Sequence, residues 1–161
     1  MFNAKLENRL ILLAWLNSLL GYRSHRELLE DTKTAAEGVS MHGYSFLHMR
    51  LFGRDSQILG DDLTRYDENI LTHLAVINRN RPEPITLRYF QYLAALYTEI
   101  ILDRLFHNKA QLLTDLNNFV RERYSSKVQH DLFTADDLTK LAFWMATGSG
   151  KTLILHLNYL Q

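Results

Sequence analysis

The sequence predicts a mainly α-helical protein whose last segment leads into the first strand, glycine loop and helix of an α/β domain. Three observations support this prediction. Apolar residues recur at helical spacing over most of the chain, and no glycine occurs between Gly60 and Gly148. A short apolar run at 141–145 is then followed by a glycine-containing loop and a second apolar stretch. This order is that of a strand, a loop and a helix.

The composition is that of a globular protein. Hydrophobic residues make up 47% of the 161 positions and charged residues 22%, which does not fit a disordered chain. The 18 basic residues balance the 18 acidic ones, so the whole chain shows no basic excess for nucleic acid, although a local basic stripe is compatible with that total. The absence of cysteine excludes disulfides, thiolate zinc sites and a cysteine nucleophile.

The first predicted helix covers 3–20, where leucines form a wide apolar stripe and Gly21 stands at the position of a helix end. Its apolar run at 10–20 contains polar residues and is too short to span a bilayer. Charged residues precede this run closely, and no small-residue cleavage site follows it. We therefore expect a cytoplasmic protein without membrane contact.

The second helix is predicted over 25–37, because Ser24 and Glu27 have capping-box spacing and Gly38 follows. The glycine-containing stretch after it gives only a weak helical signal. A third helix is predicted over 61–80, where apolar residues return at helical spacing.

Both prolines of the chain lie in "RNRPEPIT", at 82 and 84. Proline removes a backbone donor and restricts the residue before it, so this segment is the predicted boundary between a helical region, 1–84, and a second region, 85–161. Beyond the boundary, Thr86 is a candidate cap for the long apolar helix "LRYFQYLAALYTEIILDRLF". Asn108 is a candidate cap for a further helix over 109–123, and the predicted strand at 141–145 comes next.

The heptapeptide "ATGSGKT", 146–152, has the residue types that bind nucleotide phosphates. In such a loop, backbone N–H groups surround the phosphates and the following helix adds its positive end. Glycines permit the turn and the close approach of phosphate, the lysine reaches the β- and γ-phosphates, and the hydroxyl after it coordinates Mg²⁺. The predicted residues for ATP are Thr147, Gly148, Ser149, Gly150, Lys151 and Thr152. Lys151 is the predicted catalytic residue and Thr152 the predicted metal ligand.

The simplest alternative is a glycine turn with no ligand. The complete ending, GxGK followed by threonine, between an apolar run and a potential helix favours the phosphate site. Met145 stands where the general pattern has glycine or alanine, and this departure argues against GTPases and small kinases.

The octapeptide "MATGSGKT" resembles motif I of superfamily 2 helicases and translocases. The wider segment 141–161 resembles DEAD/DEAH-box helicase-family proteins described as type III restriction res subunits. The resemblance implies that 85–161 begins a RecA-like α/β ATP-binding domain. It also implies ATP hydrolysis coupled to movement along, or opening of, duplex DNA, with DNA and a restriction or defence subunit as partners.

Gln91 closes the segment "LRYFQ", which resembles the arginine-aromatic-glutamine segment that precedes motif I in this branch of the family. The resemblance implies that its amide reads the adenine edge, since an amide has both a donor and an acceptor. A polar residue on a mostly apolar helix is the alternative, and both interpretations stay open.

Two acidic motifs are not assigned to the site. The quartet "YDEN" at 66–69 contains an Asp–Glu pair, but it precedes the loop and lies in a helical pattern, so it is predicted to be a solvated face. Asp31-Thr-Lys33 resembles the end of a nuclease motif and is ascribed to chance. His42 and His48 have no metal-ligand spacing with a nearby carboxylate, no HExxH occurs, and no histidine is assigned to a site.

In the resembled family, the carboxylates that complete the Mg²⁺ site come from a later strand, and no residue follows Gln161 here. We therefore expect these 161 residues to form an incomplete domain that does not hydrolyse ATP by itself, with a poorly anchored last helix. Two alternatives are a truncated, non-catalytic product whose helices bind a partner and a different phosphate-loop enzyme such as a kinase.

Overall fold

The computed structural model describes residues 10–124, 131–143 and 145–161, and helices account for most of them. The elements are α1 Ile11–Leu19, α2 His25–Thr32, α3 Phe46–Phe52, α4 Gly60–Asn78, α5 Tyr89–Tyr124, a 3-10 turn Asp137–Thr139 and α6 Lys151–Leu160. Within these ranges there is no β-strand, and an isolated antiparallel bridge joins Val39 to Ser45. The predicted mainly helical fold is confirmed. None of the described helices is both long enough and apolar enough to cross a membrane.

Short polar side chains cap three helical starts. The Ser24 hydroxyl accepts a hydrogen bond from the Glu27 N–H at 3.2 Å, as the capping-box spacing predicted. Asn108 departs from helical dihedrals inside α5 and accepts from the Gln111 N–H at 3.0 Å, so the predicted cap begins the second half of a kinked helix. Ser45 caps α3 in the same way.

One predicted helix is shorter than expected, and one helix of the structure has no counterpart in the prediction. The helix predicted over 25–37 ends at Thr32, because Ala35 donates to the Thr32 carbonyl in a tight turn that leaves the α-helical register. Helix α3 was not predicted, since its seven residues are too few to show a clear helical period. Of the helix predicted over 3–20, residues 3–9 lie outside the described part of the chain.

One hydrophobic core includes residues from both sides of the prolines. Ile70 of α4 and Leu96 and Ile100 of α5 are fully buried in it, together with Leu16 of α1. The proline segment is tied to its flanks by Asn78, whose amide donates to the Ile85 carbonyl and accepts from the Ile85 N–H, both at 2.9 Å. The division into 1–84 and 85–161 stays a prediction.

Helix α6 is anchored in the core, so the expectation of a poorly anchored last helix is wrong. Ile154 and Leu157, spaced three residues apart, are 2% and 0% exposed, and the helix contacts α4 and α5. Gln161 adds a hydrogen bond from its amide to the Ala95 carbonyl at 3.1 Å. An apolar stripe can pack against helices as well as against a sheet, which the sequence pattern does not distinguish.

The predicted strand at 141–145 is absent from the described residues 141–143 and 145; position 144 lies outside them. Leu141 and Phe143 are 38% and 37% exposed instead of buried. A strand needs a neighbouring strand to satisfy its backbone N–H and C=O groups, and the described residues supply none beside this segment.

Candidate phosphate-binding loop

The loop before α6 turns on two glycines. The Ser149 N–H and hydroxyl both donate to the Ala146 carbonyl, at 3.3 and 2.6 Å, and these bonds close a tight turn. Gly148 has φ +78° and Gly150 has φ +86°, a backbone region that residues with a Cβ rarely adopt. The glycines at these two positions therefore set the path of the loop backbone.

Gly150 also begins α6, since it is the N-cap residue and Lys151 is the first helical residue. The first N–H groups of any α-helix lack carbonyl partners within the helix. Glycine has no side chain that could accept from them, whereas Ser24 and Ser45 cap α2 and α3 with their hydroxyls. The start of α6 therefore offers backbone donors and the positive end of the helix dipole to an anion.

The Lys151 side chain folds back over the loop. Its Nζ donates to the Ala146 carbonyl at 2.9 Å and to the Met145 carbonyl at 3.4 Å. These bonds place the ammonium group beside the turn, while the side chain remains exposed. The same donors can bind phosphate oxygens that approach the start of α6.

Thr152 lies next to Lys151 in the exposed first turn of α6. A hydroxyl is a suitable ligand for Mg²⁺, which prefers oxygen and keeps several waters when it binds with nucleotide phosphates. The described residues hold no group of three or more histidine, aspartate or glutamate side chains that could bind a metal ion. A magnesium ion at Thr152 would therefore depend mainly on phosphate oxygens.

The structure brings Gln91 to this loop across 58 positions of sequence. Its Nε2 donates to the Ser149 carbonyl at 2.9 Å, and its Oε1 accepts from the Arg88 N–H at 3.0 Å. The packing of α5 against α6 brings these residues together, and Gln91 is only 8% exposed. The adenine-reading role of Gln91 stays a prediction, whereas its contact with the loop is a feature that the sequence did not reveal.

The prediction of a solvated face for the "YDEN" quartet holds for Glu68, which is exposed, and is wrong for Tyr66 and Asp67. Tyr66 is 3% exposed and Asp67 is 0% exposed on the inner side of α4. The Asp67 carboxylate accepts from the Ser45 N–H at 2.9 Å and from the Tyr92 hydroxyl at 2.6 Å, which makes its burial tolerable. Burial, reinforced by this carboxylate, raises the pKa of Tyr92 well above its ordinary value.

Asp31 is the centre of an ion network that no local sequence pattern predicted. Its carboxylate accepts from the Tyr22 hydroxyl at 2.6 Å, from Arg50 at 2.6 Å and from Arg54 at 3.3 Å. Partial burial pulls the pKa of Asp31 upward, but the hydrogen bonds from Tyr22 and Arg50 outweigh it and the pKa lies below its ordinary value. This network joins α2 to α3, so its role is structural.

A cavity of about 390 Å³ lies apart from the loop, between α4 and the segments 36–47 and 84–87. Its lining is mostly apolar and includes none of the residues 146–152. In the loop itself, Ala146, Thr147 and Gly148 are exposed to solvent.

Comparison with known proteins found no match among protein-family models, curated proteins or solved structures.

Proposed function

We propose that the loop 146–152 binds the phosphate groups of a nucleoside triphosphate, with ATP and Mg²⁺ as the ligands. The observation that supports this most is the pair of left-handed glycines on either side of Ser149, directly before a helix whose first residue is Lys151. The glycine-capped start of α6 supplies backbone donors, Lys151 supplies a positive charge and Thr152 supplies a hydroxyl for the metal ion.

The wider proposal is that this chain is the N-terminal part of an ATP-dependent DNA helicase or translocase of the restriction res-subunit type. It rests on the resemblance of "MATGSGKT" to motif I of that family. On this proposal, 85–161 begins a RecA-like domain, DNA and a restriction or defence subunit are the partners, and the protein acts in the cytoplasm. The segment 141–145 would become a strand only beside other strands of that domain.

The loop proposal is tested by titrating a fluorescent ATP analogue with Mg²⁺ into the wild-type chain and into Lys151→Ala. A charge-assisted hydrogen bond contributes about 1.5–3 kcal/mol, so this substitution should weaken binding by about tenfold or more. The matched control is Lys109→Ala. Lys109 is also an exposed lysine that follows a helix cap, in this case Asn108, and it should bind like the wild type.

Equal affinity in the wild type and Lys151→Ala would refute the proposed role of the loop. An absence of nucleotide binding by a well-folded chain would instead favour the helical interaction module. Loss of binding in both lysine variants would point to a general electrostatic attraction and not to a site at the loop.

A further inference from the structure

Both the oxygen and the nitrogen of the Gln91 side-chain amide form hydrogen bonds with backbone groups. The carbonyl oxygen accepts from the Arg88 N–H within the first turn of α5, and the amide nitrogen donates to the Ser149 carbonyl in the loop. One amide hydrogen and one oxygen lone pair remain. Because Gln91 is only 8% exposed, there is little open surface through which a base edge could reach them.

Gly150, the residue after Ser149, lies close to the same amide. A Cβ built on Gly150 would overlap the Gln91 Nε2. The left-handed backbone at Gly150 already disfavours other residues, and the close approach of Gln91 adds a steric reason for glycine. The Gln91 amide therefore fits against Ser149 and Gly150 and fixes the two residues that lead into α6.

We propose that Gln91 is a positioning residue for the phosphate loop and that the site recognises the triphosphate group and not the base. The inference rests on the proposed function, because it assumes that the loop binds phosphates. It predicts that ATP, GTP and inorganic triphosphate bind with similar affinity, and that Gln91 contributes equally to all three.

The first part of the test needs no ligand. Hydrogen–deuterium exchange is followed in the segment 146–154 of the wild type, Gln91→Ala and Gln91→Glu. The glutamate variant keeps the side-chain length and the acceptor for Arg88, but at neutral pH it cannot donate to Ser149. The control is Gln111→Ala, which removes an exposed glutamine from the same helix. Exchange in the loop should accelerate by about threefold to tenfold in both Gln91 variants and stay unchanged in the control.

The second part compares the dissociation constants of ATP, GTP and inorganic triphosphate in the same four proteins. In Gln91→Ala all three constants should rise by the same factor, about threefold to tenfold, and the ATP-to-GTP ratio should stay near one. In Gln91→Glu the added negative charge beside the loop also repels phosphate, so the constants should rise further. A general loss of folded protein would also raise all three constants by one factor, so the global melting temperature of each variant is recorded to exclude that cause.

The outcomes distinguish a failure of the positioning role of Gln91 from a failure of the phosphate-site proposal. A wild-type preference for ATP that disappears in Gln91→Ala would overturn the positioning role and support adenine reading. Unchanged loop exchange in both Gln91 variants would overturn it as well. If no ligand binds the wild type, the phosphate-site proposal fails, and with it the triphosphate selectivity, while the exchange measurement still decides whether Gln91 holds the loop.

Discussion

At Gly150, the energetic cost of the left-handed backbone can be separated from the cost of a clash with Gln91 by comparison with Gly43. Its φ of +86° equals that of Gly43, but a Cβ at Gly43 would meet nothing within 4 Å, whereas a Cβ at Gly150 would meet Gln91. Gly43→Ala therefore reports the backbone strain alone. Gly150→Ala reports the strain together with the displacement of the Gln91 amide.

We expect Gly43→Ala to lower the free energy of unfolding by about 1–2 kcal/mol, the cost of a Cβ in the left-handed region. Gly150→Ala should cost about 1 kcal/mol more, because Gln91 loses its bond to Ser149. In a Gln91→Ala background the excess should vanish. Urea unfolding of the single and double variants measures these differences. An equal cost for Gly150→Ala in both backgrounds would show that Gln91 moves aside freely.

At the residue scale, the sequence predicted the contacts that are made between residues a few positions apart. Ser24 and Asn108 cap helices because each bonds an N–H three residues ahead. The Asp67 partners, Ser45 and Tyr92, lie 22 and 25 residues away, so periodicity alone could not reveal that this carboxylate is buried. The contact of Gln91 with Ser149 is hidden for the same reason.

At the scale of elements, the ion network of Asp31 fastens α2 to α3. Arg50 and Arg54 flank the end of α3, and both bond to this one carboxylate of α2. The carboxylate side chain is 17% exposed, so solvent screens these pairs less than ordinary surface pairs. The network adds to the burial of Leu47 and Leu51, which packs this helix of seven residues into the core.

The pH dependence of this network follows from the lowered pKa of Asp31 in the folded protein. Its contribution is present above the unfolded pKa of about 3.9 and is lost as the pH falls through the lower folded value. Asp31→Asn should therefore destabilise the protein by about 1–2 kcal/mol at pH 7, and the difference should shrink below pH of about 4. Urea unfolding at several pH values measures it, with the exposed Asp136→Asn as control. A difference that is constant with pH would contradict the network.

The prediction of elements succeeded where the apolar pattern was long. It failed where the segment was short or where its structure depends on neighbouring elements. Helices α4 and α5 carry many turns of apolar periodicity, and the stretch without glycine correctly indicated a helical middle. The seven residues of α3 and the run 141–145 are too short for such a signal. The run 141–145 also needs neighbouring strands, which no local pattern can guarantee.

At the scale of the whole molecule, the proline segment and the core suggest different divisions of the chain. Residues 79–84 are exposed, as expected of a boundary, but Leu74 and Leu87 on either side belong to one buried cluster. Limited trypsin digestion should therefore cut after Arg79, and the two fragments should remain associated in size-exclusion chromatography under native conditions. Fragments that separate would show that 1–84 and 85–161 are independent units. Preferential cleavage within 90–105 would contradict the predicted exposure of the proline segment.

The last prediction concerns catalysis: these 161 residues should not hydrolyse ATP. Phosphoryl transfer depends on positioned charges and on a group that orients the attacking water. The proposed loop supplies a lysine, a hydroxyl and backbone donors. Asp67, the buried acid of the "YDEN" quartet, is committed to Ser45 and Tyr92.

A magnesium-dependent ATPase assay of the purified chain, with Lys151→Ala as the reference, tests this prediction. Nucleotide binding without turnover above that reference is the expected result, because Lys151 and the backbone donors hold the phosphates but do not orient the attacking water. Turnover clearly above the Lys151→Ala value would show that a water-orienting group lies within these 161 residues. Glu68→Gln would then be the first variant to examine, since Glu68 is the exposed acid of the quartet and the change keeps the size of the side chain while removing its charge. If activity survived that change, the catalytic group would have to be sought at another position.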